Sequence, residues 1–138
     1  MLDSNHLRDK VAIITGAAGA IGAATTRLMA ARGAKIVAVD RDAAALEELT
    51  GSLPASAEAI RISADVTSEE AVESYVRTTR DRFGRIDVFF NNAGIEGAIG
   101  PLASYRLVDF QKVMSVNVIG VFLGLKHVLP VFGGTEER

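Results

Sequence analysis

The stretch TGAAGAIG, Thr15 to Gly22, puts three glycines into eight residues. It follows the apolar run KVAIIT and precedes a segment of helical periodicity. A helix N-terminus carries unpaired N–H groups and partial positive charge, so it attracts a pyrophosphate. Gly16 permits the tight turn that such a site needs. Gly19 and Ala20 keep side chains away from approaching phosphate oxygens, and Gly22, with no Cβ, lets the helix pack on the sheet. Asp40 ends the next apolar run, eighteen residues after Gly22. A carboxylate there accepts from adenosine ribose hydroxyls and repels a 2′-phosphate. No Lys or Arg lies within the loop, which also favours NAD over NADP. Arg41 pulls the other way, because a guanidinium just after the strand meets a 2′-phosphate.

Plainer readings stand beside these. A tight strand-to-helix turn also uses glycine, and Asp40 also fits a turn carboxylate. The elements around the motif favour the ligand reading. KVAIIT (Lys10–Thr15), KIVAVD (Lys35–Asp40), EAIRISADV (Glu58–Val66) and IDVFFNNAG (Ile86–Gly94) read as strands, the first two buried on both faces. Helices are expected between them. In the first, Ile21, Ala24, Thr25, Leu28 and Met29 form the apolar face, with Gly33 as a left-handed stop. A second has Leu46 and Leu49 facing in and Gly51 as terminator. A third opens on a Thr67/Glu70 capping box, turns Ala71, Val72, Tyr75, Val76 and Phe83 inward, and ends at Gly84. A helix pair follows, its second member over Lys112–Val131 apolar almost all round. Alternating strands and helices predict an α/β fold: a Rossmann-type doubly wound parallel sheet, incomplete, with about four strands in order 3-2-1-4.

Composition narrows the function. Fifteen basic and seventeen acidic residues leave a net charge of −2, which supplies no basic excess for nucleic acid or an anionic membrane. The chain has no cysteine, which excludes a thiolate metal site and a Cys nucleophile, and no metal ligands are assigned. No apolar run is judged long enough to span a bilayer, the polar start MLDSNHLRDK lacks a signal-peptide centre, and a cytosolic location is expected.

With NNAG (Asn91–Gly94) on the page, the chain resembles the classical short-chain dehydrogenases/reductases. TGAAGAIG is similar to their glycine-rich turn and VD (Val39–Asp40) to their NAD-selecting acid. ADV (Ala64–Val66) is similar to their adenine-contacting segment, NNAG to their sheet-stabilising motif, and Asn117 in SVNVIGVF to their helix asparagine. The match runs from about Lys10 to Phe132. The resemblance implies one domain's NAD-binding half over residues 1–138. It implies cofactor contacts at Gly16, Gly19, Ala20, Ile21, Gly22, Asp40, Arg41, Asp65, Val66, Asn91, Asn92, Ala93 and Gly94. It implies hydride transfer between NAD(H) and a secondary alcohol or ketone, with a weak pointer to cyclic ones. Asn117 would hold a water in a proton relay. An amide in an apolar helix must in any case find a partner or cost about 1–3 kcal/mol. Asp65 also fits a strand-end cap, and Asn91 and Asn92 fit turn formers.

The family's reactive set is Ser, Tyr and Lys, the last two spaced Y-x-x-x-K. Here Tyr75 is followed four residues on by Thr79, and Tyr105 by Asp109. His6 lies in the polar leader and His127 is expected on the solvent face of the last helix; neither is assigned a catalytic role. The expectation is an alcohol/ketone oxidoreductase segment that is catalytically incompetent by itself. The alternative is a non-catalytic module that binds NAD or another adenine nucleotide. The last helix is expected to be sticky, which implies dimerisation, aggregation or a missing second segment, with a homo-oligomer through that helix as the expected partner arrangement.

Overall fold

A computed structural model describes residues His6–Gly134. Four strands, β1 Val11–Thr15, β2 Lys35–Asp40, β3 Ala59–Ser63 and β4 Val88–Phe90, form one sheet in the order β3-β2-β1-β4. All pairings are parallel, with Val11 opposite Lys35, Ile13 opposite Phe89 and Ile36 opposite Ala59. Helices α1 Ala20–Ala31, α2 Ala43–Gly51 and α3 Glu69–Phe83 connect the strands, and α4 Leu107–Met114 and α5 Gly120–Val128 follow them.

The two-residue period of the strands builds a layer on each face. Val11, Ile13, Val37 and Val39 pack with Val72, Tyr75 and Val76 of α3 and Leu123 and Val128 of α5. Ala12, Ile14, Ile36 and Ala38 pack with Ala23 and Ala30 of α1 and Leu46 and Leu49 of α2. This second layer is rich in alanine, so α1 comes close to the sheet. β1 is buried along its whole length, which explains its unbroken apolar run.

Several expectations change. The buried stripe of α1 is Gly22, Ala23, Thr26 and Ala30, whereas Ile21 and Leu28 are 67% and 57% exposed. Small residues win the inward face because the helix backbone sits where a larger side chain would have to fit. The cap of α3 is Ser68, whose Oγ accepts from the Ala71 amide at 3.3 Å; Thr67 bonds Asp65 instead. Gly51 is the last residue of α2, and Gly33 and Gly84 have positive φ. β4 is three residues long because it has only β1 to pair with, and that ladder ends at Ile14–Phe90. β3 likewise stops at Ser63, opposite the end of β2.

The expected helix pair is instead one short 3-10 turn, Leu102–Ser104, and a helical run made of α4, a π turn at Ser115–Ile119, and α5. The stretch Leu107–Gly134 is, by length and composition, apolar enough to cross a membrane, its most apolar 18-residue window having a mean hydropathy of 1.6, contrary to the sequence reading. One side of it packs on the sheet and α3 through Leu123 and Val128.

Candidate functional site: a cleft at the carboxyl ends of the strands

β1 ends at Thr15, and Gly16 turns the chain with φ +62°. A Cβ on Gly16 would lie 2.9 Å from Ala93 Cα, so the loop and the NNAG segment touch backbone to backbone. A Cβ on Gly22 would lie 2.1 Å from Gly16 O, which no side chain can occupy. The first helical bond of α1 runs from the Ala23 amide to Gly19 O at 2.8 Å, and Gly19 offers no side-chain cap. The amides of Ala20, Ile21 and Gly22 therefore stand ahead of the hydrogen-bonded helix, at an exposed N-terminus. An anion fits there.

Asp40 closes the neighbouring strand. Its Oδ2 accepts from the Ala18 amide at 3.0 Å and its Oδ1 from the Asp42 amide at 3.1 Å. A carboxylate has about four lone-pair sites, so capacity remains for hydroxyl donors. A cleft opens between these strand ends. Gly16, Asp40 and Arg41 wall one side; Ala64, Asp65 and Val66 after β3, Ala93, Gly94 and Ile95 after β4, and Val116 of the π turn wall the rest.

The remaining expected residues divide into those that face the cleft and those that hold its walls. Asp65 faces it, and its Oδ1 accepts from the Thr67 amide (2.9 Å) and hydroxyl (2.7 Å), the strand-end arrangement. Those two bonds, with help from the Arg41 charge, hold its carboxyl below the ordinary carboxylate value despite partial burial. The asparagine side chains do not line the cleft. Asn91 Nδ2 donates to Val121 O at 2.9 Å, fixing α5. Asn92 Nδ2 donates to Thr15 O at 3.1 Å, fixing the glycine turn. Gly19, Ala20 and Ile21 stand exposed beside the cleft at the mouth of α1.

Asn117 finds its partner across the cleft wall. Its Oδ1 accepts from the Ile95 amide and its Nδ2 donates to Ile95 O, each at 2.8 Å. This pair copies a strand bridge and ties the loop after β4 to the π turn. Gly94 makes room for it: a Cβ there would lie 3.2 Å from Asn117 Oδ1. Thr15 was missed by sequence reasoning. Its Oγ1 accepts from the amides of Asn92 (2.9 Å) and Ala93 (3.1 Å), joining both motifs. A polar residue closing an otherwise apolar strand was the available signal. Ile95 and Val116 carried no signal at all.

Neither tyrosine is among the residues that line this cleft. Tyr75, on the buried face of α3, lies in the core, and burial pushes its phenol up, so it stays protonated. His127 is not on an open face: its side chain is 20% exposed and meets α3 at Glu69.

Sheet order, strand-end cleft and glycine turn together define a Rossmann-type doubly wound α/β protein. The family model for short chain dehydrogenase matches residues 10–137, and the chain belongs to that family. It is 46% identical over 131 residues to levodione reductase of Leifsonia aquatica, covering 93% of this chain and 49% of that protein. The crystal structure of levodione reductase superposes with a TM-score of 0.90 at 45% identity, covering 91% of this chain and 50% of that one. NAD+-bound xylitol dehydrogenase superposes with a TM-score of 0.87 at 42% identity, covering 89% and 48%. The chain thus spans about half the length of the relatives it matches.

Proposed function

We propose that this chain is the cofactor-holding half of an NAD-dependent oxidoreductase acting on a secondary alcohol or ketone, cyclic ones included. Residues 1–138 form its NAD-binding unit in this reading. The observation that carries it is the convergence of the Gly16 turn, the open α1 amides and the Asp40 carboxylate on one cleft. Support comes from relatives named as reductase and dehydrogenase, and from the NAD+ bound in xylitol dehydrogenase.

The cofactor supplies or takes up the hydride. The chain's own residues bind and orient it. Amides of Ala20, Ile21 and Gly22 receive the pyrophosphate over the bare surface of Gly16 and Gly19. Asp40 accepts from the ribose hydroxyls, and Arg41 flanks it. Asp65 and Val66 contact the adenine. Ala93 and Gly94 present backbone and a methyl group, leaving the cleft open, and Asn92 holds the glycine turn behind them. Asn117 keeps one N–H and one lone pair beyond its bonds to Ile95, enough to hold a water on a proton path.

The second reading is a module that binds NAD without turning it over. It is favoured, for these 138 residues alone, by the state of the tyrosines: Tyr75 is buried and protonated, and neither tyrosine is followed at the fourth position by lysine. The exposed apolar side of α4 and α5 supports self-association in either case. Titration of the chain with NADH and NADPH, followed by fluorescence, tests the cofactor reading. Binding with NADH preferred is expected; a folded chain that ignores both would overturn it. Dehydrogenase assay of the same sample with a cyclic secondary alcohol separates the two readings. No turnover is expected of the chain alone, and measurable turnover would defeat the second.

A further inference from the structure

We propose that Glu69, Glu73 and His127 form a zinc-binding site that clips α5 to α3. The sequence assigned no metal ligand, because these residues are brought together only by the packing of two helices. Glu69 and Glu73 are four residues apart and share a face of α3. His127, from the last turn of α5, points its Nε2 between them, 2.8 Å from Glu69 Oε1 and 3.8 Å from Glu73 Oε1. The three ligand atoms all lie within 4.8 Å of one another. Zinc takes imidazole nitrogen and carboxylate oxygen at about 2.0–2.2 Å, so small rotations of two exposed glutamates close a site around one ion.

A cation already occupies this point: the Lys126 ammonium lies 2.5 Å from Glu69 Oε1. That side chain is 49% exposed and free to swing into water when a divalent ion replaces it. The groove beside it, lined by Glu73, Arg77, Arg80, His127 and Val131 among others, is open to water that can complete the coordination. One imidazole with two carboxylates suits zinc better than magnesium or calcium, which favour all-oxygen shells. The site shares no residue with the strand-end cleft, so it stands or falls apart from the cofactor reading.

The test is competition for zinc between the 138-residue chain and a chromophoric chelator, with magnesium in parallel. One zinc per chain is expected, with no comparable magnesium binding. Glu73→Gln and His127→Ala should each weaken binding by more than the about 10–100-fold that losing a ligand's outer partner costs. Lys126→Ala should tighten it. Zinc should raise the unfolding temperature of the parent chain but not of Glu73→Gln, whose exposed side chain makes it a safe substitution for folding. Absence of zinc binding would overturn the proposal. So would equal affinity in the Glu73→Gln chain, which would place the ion elsewhere, at His6 for example.

Discussion

The amide of Ala18, in the glycine loop after β1, donates to Oδ2 of Asp40 at the end of β2, 3.0 Å away. One carboxylate thus ties the loop of the first crossover to the strand beside it. Asp40 acts on the shape of the cleft as well as on its charge.

Replacing Asp40 with alanine should therefore have two effects. Loss of the bonds from Ala18 and Asp42 should lower stability by about 1–2 kcal/mol in urea unfolding. The preference for NADH over NADPH should shrink at the same time, read from the two dissociation constants. Unchanged selectivity in a folded Asp40→Ala chain would remove the ribose role.

Glycines separate by what surrounds them. Gly22→Ala drives a Cβ into Gly16 O and should prevent accumulation of folded protein. Gly51→Ala meets nothing within 4 Å at the end of α2 and should be neutral or stabilising by up to about 1 kcal/mol. Gly84→Ala, at φ +78°, should cost about 1 kcal/mol although its space is equally open. Soluble yield reads the first variant, and circular dichroism melts rank the other two against the parent chain.

Asn117→Ala removes both bonds to the Ile95 backbone. The loss should be about 1–2 kcal/mol. Hydrogen exchange should speed at the Ile95 amide while amides of β1 stay protected. A uniform loss of protection would show that the bridge holds the whole fold rather than the cleft wall.

Acid stability should depend on Asp87. Partial burial disfavours its charged form, but the Arg85 hydrogen bond, the Val11 amide and the charges of Arg85 and Lys10 outweigh it, so the carboxyl lies below 3.8. A depressed folded value contributes stability that is complete above about pH 3.8 and is lost as pH falls through the lower folded value. Urea midpoints measured from pH 6 to 2 should fall over that window in the parent chain and fall less in Asp87→Asn.

The outer side of α4, α5 and the turn after it shows Leu107, Phe110, Phe122, Leu125 and Leu129 to solvent, each at least 42% exposed. Light scattering of the chain should show self-association that grows with concentration. Phe122→Asp should reduce it, since a charge in the middle of the patch must be desolvated on contact.

Much of this was legible early, for a physical reason in each case. Strand and helix order followed from apolar runs that only a doubly buried parallel sheet accommodates, and Gly16, Gly33 and Gly84 from turns that need positive φ. Asp40 was legible because it closes a strand at a fixed distance from the glycine turn. The inward face of α1 was not, because hydrophobicity favoured Ile21 and Leu28 while close approach to the sheet selected Gly22, Ala23 and Ala30. The asparagines were placed in the right turn but facing the wrong way, since an amide's direction depends on which carbonyls lie near: Val121 O for Asn91 and Thr15 O for Asn92.

By itself, then, the sequence determined the topology, which follows from local periodicity and the chirality of strand crossovers, and the family, which its motifs carried by resemblance. Tertiary structure decided the rest. The Asn117–Ile95 bridge, the Thr15 link between two motifs and the meeting of Glu69, Glu73 and His127 join residues 22 to 78 positions apart. Contacts at such separation leave no period in a chain; they exist only once packing has fixed how the helices lie against the sheet.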